Sequence, residues 1–248
     1  MPSIELTPAP EPVFRRYATP ENPPQPRLRV ALINPPDPAT DIDTRVKPPL
    51  GLGYVAAMAR IRGYHADIFD LVGDLGIHRS GLAATGLPGD YDVYGFGTYT
   101  ESFEETVRIL RMIRAERPES RFLLGGYHAT IASQQVMADH PEVDAIVLNE
   151  GEYACADLLD AWASGGSDFG PLPGVLVRRS GQVVIGQGGR EQLDQDRLPY
   201  PVLDVRYGSM PYADHVDMRR RRLRRVLPVV SSRGCPKRCT FCAIIVMP

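Results

Sequence analysis

Four cysteines occur in 248 residues, and three of them, Cys235, Cys239 and Cys242, sit in the stretch Ser-Ser-Arg-Gly-Cys-Pro-Lys-Arg-Cys-Thr-Phe-Cys that starts at Ser231. Thiolates spaced C-x3-C-x2-C in a short loop with Gly234 and Pro236 can converge on three corners of a cubane iron-sulfur cluster, one thiolate per iron. The fourth iron then has no protein ligand. An open iron is a place for a substrate to coordinate, which suggests chemistry rather than electron storage. Two other uses of cysteine compete. A zinc site wants four ligands, and only Cys155 and a few scattered histidines are at hand to complete one. A disulfide in so short a loop would leave an unpaired thiol.

The residues before these thiols must position them. Residues 1–26 are crowded with proline and show no apolar periodicity, so they read as a tail or extended strap. Regular structure is expected from Leu28, where the apolar run 28–34 has strand length and ends at Pro35-Pro36. A helix opens at Pro48-Pro49-Leu50 and stops at Gly63. Strands are expected at 65–71, 91–98, 121–126 and 143–148. Between them lie a helix from Phe103, capped by a Ser102/Glu105 box, a short helix to about His140, and a helix over 152–163. Strands alternating with helices at this interval mean right-handed βαβ units and a doubly wound parallel sheet. Ligands of such sheets bind beyond the carboxyl ends of the strands, near the switch in strand order. The loops there are 34–51, 97–100, 125–130 and 149–152.

No G-x-G-x-x-G follows the first strand, which argues against a dinucleotide. Glycines are spread instead over several strand ends, at Gly95 and Gly97, Gly125 and Gly126, and Gly151. Bare backbone over a wide area suits a large flat ligand. Beyond residue 170 the pattern changes to two alternating runs about Ser180-Gly181, a hairpin, followed by a proline-stiffened linker to 225. The run 219–225, Arg-Arg-Arg-Arg-Leu-Arg-Arg, reads as a solvated basic face, with a phosphate or RNA contact as the sharper alternative. Residues 226–232 are expected as the first strand of a new unit that carries the cysteine loop at its carboxyl end. Cys155 falls with Leu158, Leu159 and Trp162 on one helical stripe and reads as a small buried hydrophobe.

The loop Cys235 to Cys242, with Phe241 as the aromatic before the last cysteine, resembles that of the radical S-adenosylmethionine (SAM) superfamily. The runs Lys-Pro-Pro-Leu-Gly-Leu-Gly-Tyr (from Lys47), Gly-Gly-Tyr-His-Ala-Thr (from Gly125) and Asn-Glu-Gly-Glu (from Asn149), in that order before the cysteines, resemble the Rossmann-like domain of cobalamin-dependent radical SAM enzymes. The resemblance covers residues 28–242. It implies a cobalamin-binding domain over 27–170, a hairpin and linker over 171–225, and the start of a radical SAM barrel over 226–248. It further implies a [4Fe-4S] cluster on Cys235, Cys239 and Cys242, with SAM chelating the open iron and Phe241 near its adenine. Contacts to cobalamin are implied for Pro49, Leu50, Gly51, Gly97, Thr98, Thr100, Gly125, Gly126, His128, Glu150 and Gly151. The D-x-H-x-x-G pattern that supplies a lower cobalt ligand in methionine-synthase-like domains is missing. His128 is therefore read as bonding backbone or the corrin amides.

The activity so implied is methyl transfer to an unactivated carbon of a small molecule. SAM cleavage yields a radical that takes hydrogen from substrate, and methylcobalamin supplies the methyl group. An external electron donor is implied as a partner. Radical cyclisation, a non-catalytic cobalamin module and RNA methylthiotransfer are the alternatives; the last would require three further cysteines upstream, where only Cys155 stands. A net charge of −2 gives no bulk attraction to nucleic acid or an anionic membrane. The sequence has no apolar run of bilayer-spanning length and no signal-peptide pattern at its start, so a cytoplasmic enzyme is expected. A single barrel strand without its neighbours leads to the further expectation that this chain is inactive alone.

Overall fold

A computed structural model describes residues 28–36, 48–71, 89–165, 170–186, 195–206, 216–217, 222–223, 228–237 and 239–242. The expected proline-rich tail lies outside the described residues.

The apolar run after Leu28 forms β1 (Arg29–Asn34), followed by α1 (Leu50–Ile61) and β2 (His65–Asp70). Next come β3 (Val93–Gly97), α2 (Phe103–Glu116), β4 (Arg121–Gly125), two short helices α3 (Tyr127–Ile131) and α4 (Ser133–Asp139), β5 (Ala145–Val147) and α5 (Glu152–Ala163). The hairpin is β6 (Val175–Arg179) and β7 (Gln182–Ile185), and a two-residue strand β8 (Val205–Arg206) follows. The sheet runs β7-β6-β5-β4-β3-β1-β2-β8. Six of its strands pair in parallel; β6 runs against them, and β7, antiparallel to β6, runs with them again. This is the doubly wound α/β fold, with its order reversing between β1 and β3, where Leu32 pairs with Gly95 and Ile33 with Phe96.

The middles of the central strands, Val30 to Ile33 and Phe122 to Leu124, are apolar and buried because both faces are covered. Val30, Leu32, Ile68, Val93 and Leu123 pack under α1 and α5 with Ala56, Cys155, Leu158 and Leu159. Ala31, Ile33, Tyr94, Phe96, Phe122 and Leu124 face α2 and α4 through Ile109, Leu110, Ile113, Val136 and Met137. Side by side on their face, α1 and α5 are pinned by Arg62, which pairs with Asp157 at 3.2 Å and with Asp160, and by Tyr64, whose hydroxyl donates to Asp160 at 2.5 Å.

Several expectations change. The hairpin is no separate unit: β6 pairs with β5, Val147 opposite Val175, and so extends the sheet. Within the expected linker, β8 adds a parallel strand beyond β2, where Ile68 pairs with Val205. Its approach needs Gly53, since a Cβ there would lie 2.8 Å from the Val202 carbonyl. The capping box does not form. Ser102 sits at the N-cap of α2 without a side-chain cap bond, and Glu105 instead binds the Arg108 guanidinium, with 2.9 Å to Nε. Inside the basic run, Arg222–Leu223 (β10) pairs antiparallel with Val216–Asp217 (β9); the rest of that run lies outside the described residues. Residues 228–232 form no strand, and residues 226 and 227 are outside the description. A parallel barrel strand needs ladder partners on both sides, and no strand of the described residues pairs with this segment.

Candidate cobalamin-binding edge

The six strands that pair in parallel end at one edge, and the segments leaving β3, β4 and β5 meet there, Thr98 bonding Gly125 and Asn149 bonding Thr130. Thr98 is the bracket between two of them. It is fully buried; its hydroxyl donates to the Gly125 carbonyl at 2.7 Å and accepts from the Ala129 amide at 3.1 Å, while its own amide also donates to the Gly125 carbonyl at 2.8 Å. Gly126 crosses it with φ +91°, and a Cβ there would lie 2.8 Å from the Thr98 carbonyl oxygen and 2.9 Å from its nitrogen. Only glycine fits such a crossing. Thr98, expected as a ligand contact, thus spends its side chain inside the protein.

The glycines divide into two kinds. A Cβ on Gly95 would press against Leu32 at 2.9 Å and Leu123 at 3.2 Å, so this residue is a packing glycine of the central strand. Gly151 is likewise tight, 2.9 Å from a Val147 methyl. In contrast, among the described residues nothing lies within 4 Å of a Cβ on Gly51, and one on Gly125 meets only the Val147 carbonyl at 3.7 Å. These two, with half-buried Pro49, Leu50 and Gly97 and exposed Gly126, leave bare, open backbone along the edge.

His128 is in the first turn of α3 rather than in a loop. Its Nδ1 lies 3.2 Å from the Thr100 hydroxyl and its ring stacks on Phe103 at 4.1 Å, with His140 on the other side of Phe103. Burial, helped by the neighbouring His140, pushes its pKa down, so the neutral ring is favoured. A neutral imidazole bound to a threonine hydroxyl presents one further nitrogen to a ligand amide. Thr100 itself is exposed.

At the end of β5, Asn149 adopts φ +54°, and its buried Oδ1 has no hydrogen-bond partner among the described residues. Beside it Glu150 is half-buried and Glu152 buried, and both carboxylates meet Arg233: Nη1 is 2.6 Å from Glu152 and 3.4 Å from Glu150. The same guanidinium lies over the Tyr54 ring at 4.6 Å. Burial alone would lower the Arg233 pKa; the two carboxylates outweigh it and raise it. Two residues later the cysteines begin, so Arg233 brings the cysteine loop to the edge where the strand loops meet.

The three thiols fit a cluster in kind but are not gathered. Cys235 and Cys239 are exposed and Cys242 partly so, and among the described residues no three His, Cys, Asp or Glu side chains are grouped to hold a metal. A turn from the Cys242 amide to the Cys239 carbonyl, 2.9 Å, shapes the loop's end. Phe241 is 91% exposed, with its ring free to meet a ligand. Cys155 is buried on its expected stripe. Burial, with Glu152 nearby, pushes its thiol up to about 12, so it is held as the neutral thiol at neutral pH.

Sequence reasoning missed the roles of Arg233, Glu152 and Tyr54. The available signal was a lone arginine two positions before the first cysteine, together with a motif bearing two glutamates. It also missed Tyr99 and Tyr127, exposed aromatics at the ends of β3 and β4 with ring centroids 5.9 Å apart.

Bare glycine backbone at the carboxyl edge of a doubly wound sheet places the chain in a class: an α/β domain that takes its ligand across the strand ends. Residues 45–159 match the family model "B12 binding domain". It is 30% identical over 154 residues to 2-(S-pantetheinyl)-carbapenam-3-carboxylate methyltransferase of Streptantibioticus cattleyicolor, covering 62% of this chain and 22% of the relative. It is 27% identical over 201 residues to anaerobic magnesium-protoporphyrin IX monomethyl ester cyclase of Rubrivivax gelatinosus, covering 79% and 35%. The fold matches that of the cobalamin-dependent SAM radical enzyme OxsB with aqua-cobalamin and SAM bound, at TM-score 0.55, 18% identity, and 71% and 24% coverage. The chain therefore spans well under half the length of these relatives.

Proposed function

We propose that this chain is the cobalamin-binding part, with the cluster loop, of a cobalamin-dependent radical SAM methyltransferase that acts on a carbon of a small molecule. The observation that carries this reading is the glycine-floored edge of the B12-binding domain with the cysteine loop bound to it through Arg233. Pro49, Leu50, Gly51, Gly97, Gly125, Gly126 and Gly151 would line the corrin with backbone, and Thr100, His128, Asn149 and Glu150 would meet its amide rim. The orphaned Asn149 Oδ1 fits an amide donor of that rim. Cys235, Cys239 and Cys242 would hold a [4Fe-4S] cluster, and Phe241 would pack on SAM. When bound, these groups supply a methyl donor and a carbon-centred radical. The chain's own part is to orient them and exclude water. An external electron donor is the implied partner, and free thiols, two exposed and one partly so, suit the cytoplasm's reducing conditions. Among the described residues no helix is long and apolar enough to cross a membrane.

Hydroxocobalamin titrated into the chain should give a saturable change in the corrin spectrum, and anaerobic reconstitution should load iron that is lost when the three loop cysteines become alanine. No corrin binding at high micromolar concentration by folded protein would refute the reading, and stoichiometric zinc in place of iron would refute the cluster. A second reading, radical cyclisation, rests on the similarity to the magnesium-protoporphyrin ester cyclase. Passage of a labelled SAM methyl group into product, measured on a chain extended to the relatives' length, separates the two.

A further inference from the structure

We propose that Arg233 is a positioning residue that holds the cysteine loop against the cobalamin-binding edge, so that docking of that loop and occupancy of the edge depend on one another. The proposal rests on the cobalamin reading above for its ligand, and on the structure alone for the contact. One guanidinium touches three things at once: Glu152 at 2.6 Å, Glu150 at 3.4 Å and the Tyr54 ring at 4.6 Å. Glu150 and Glu152 flank Gly151 in the loop after β5. Tyr54 lies one turn into α1, just past Pro49, Leu50 and Gly51. Two of the segments that line the edge are thus joined by a side chain that belongs to neither of them, from a part of the chain 81 residues beyond Glu152.

The pair is not an ordinary surface ion pair, whose net worth is close to nothing. The Glu152 side chain is 4% exposed, and its second oxygen has no hydrogen-bond partner among the described residues. Arg233 is therefore the counter-charge that a buried carboxylate depends on. Taking one member of such a pair away leaves the other charged and desolvated, which is far more disruptive than never having had the pair. Without Arg233, the 149–152 loop must open to water or take up a proton at Glu152, and either outcome disturbs Glu150 and Gly151 at the ligand edge. Conversely, a ligand that holds the 149–152 loop in place holds the acceptors of Arg233 in place, and so the cysteine loop. Such coupling is reciprocal by thermodynamic necessity. Arginine suits the task better than lysine because its planar fork serves two carboxylates while its face lies on an aromatic ring.

The test uses the full chain as wild type, Arg233→Gln, Arg233→Lys and Glu152→Gln, the last preserving shape while removing the charge. Amide hydrogen exchange over residues 228–242 should be about tenfold faster in Arg233→Gln and Glu152→Gln, in the range usual for coupled sites. Hydroxocobalamin affinity should fall by a similar factor, with Arg233→Lys between. Iron uptake by the cysteines should stay at the wild-type value, and exchange in β1, β3 and β4 should rise far less than over residues 228–242 even where the broken pair lowers the thermal midpoint, a pattern that a general loss of structure cannot produce. Unchanged exchange in Arg233→Gln would overturn the proposal, as would exchange that rises equally in the cysteine segment and in the sheet. If wild type takes up no corrin, the cobalamin reading falls, while the exchange comparison still decides whether Arg233 holds the loop.

Discussion

Replacing Gly126 by alanine tests whether the edge is built as described. The residue has φ 91° and ψ −174°, a region that is essentially glycine's alone, and a side chain held there costs roughly 1–3 kcal/mol. The added methyl would also stand 2.8 Å from the Thr98 carbonyl oxygen and 2.9 Å from its nitrogen, both backbone atoms that cannot swing aside. Relief requires Thr98 to move, and its bonds to Gly125 and Ala129 are worth about 0.5–1.5 kcal/mol each. Together these predict a loss of about 2–5 kcal/mol, a large share of the 5–15 kcal/mol usual for a domain. Gly51→Ala is the control. Nothing lies within 4 Å of its added Cβ, and alanine inside a helix gains up to about 1 kcal/mol over glycine. Urea unfolding should therefore show Gly126→Ala strongly destabilised and Gly51→Ala as stable as wild type or more so. A hydroxocobalamin titration should show both weakened, the first through a displaced loop and the second through a methyl standing where the corrin lies. Wild-type stability in Gly126→Ala would refute the account of the crossing, and undiminished corrin binding by Gly51→Ala would remove Gly51 from the site.

Thr98→Val keeps the shape of a buried side chain and strips its hydroxyl, leaving the Ala129 amide without its acceptor; a loss of about 1–3 kcal/mol is expected, read as a lower urea midpoint at unchanged m-value. Cys155, with its thiol pushed up to about 12 by burial, should resist alkylation at pH 8 in the folded protein while Cys235, Cys239 and Cys242 react; mass spectrometry counting three adducts before denaturation and four after it would bear this out, and four adducts in the native protein would contradict it.

The doubly wound fold was legible because its signals are local and redundant. Runs such as 30–33 and 122–124 are apolar at every position, as a strand buried on both faces requires, and each is followed by a helical stripe. What could not be read depends on neighbours distant in sequence. Gly95 and Gly125 look alike in the chain, yet one is squeezed between Leu32 and Leu123 and the other faces outward. Thr98 seemed a ligand residue because it sits in a glycine-rich strand end, whereas its partners, Gly125 and Ala129, are some 30 residues away. Ser102 and Glu105 have the spacing of a capping box, but Arg108 one turn on competes for the glutamate. The strand Val205–Arg206 is too short to show any period. Arg233 stood in plain view as part of the cysteine motif, and only the folded chain shows the carboxylates it answers.

The pairing of β5 with β6 and of β2 with β8 bears on where a knife can be put to this protein. A fragment ended at residue 170, where the sequence alone would place the domain boundary, loses the strands that cover both flanks of its sheet. Ala145, Ile146 and Val147 are 0–4% exposed in the intact chain and would present a bare row of amides and carbonyls, the template from which strand-to-strand aggregation grows. A soluble corrin-binding fragment should instead run through Arg206, so that the hairpin and β8 travel with it. Because β8 runs parallel to β2, its chain leaves on the side where the corrin is proposed to sit. A module fused directly after Arg206 is thereby attached at the carboxyl edge of the sheet, so the attachment point sets which end of the domain it faces.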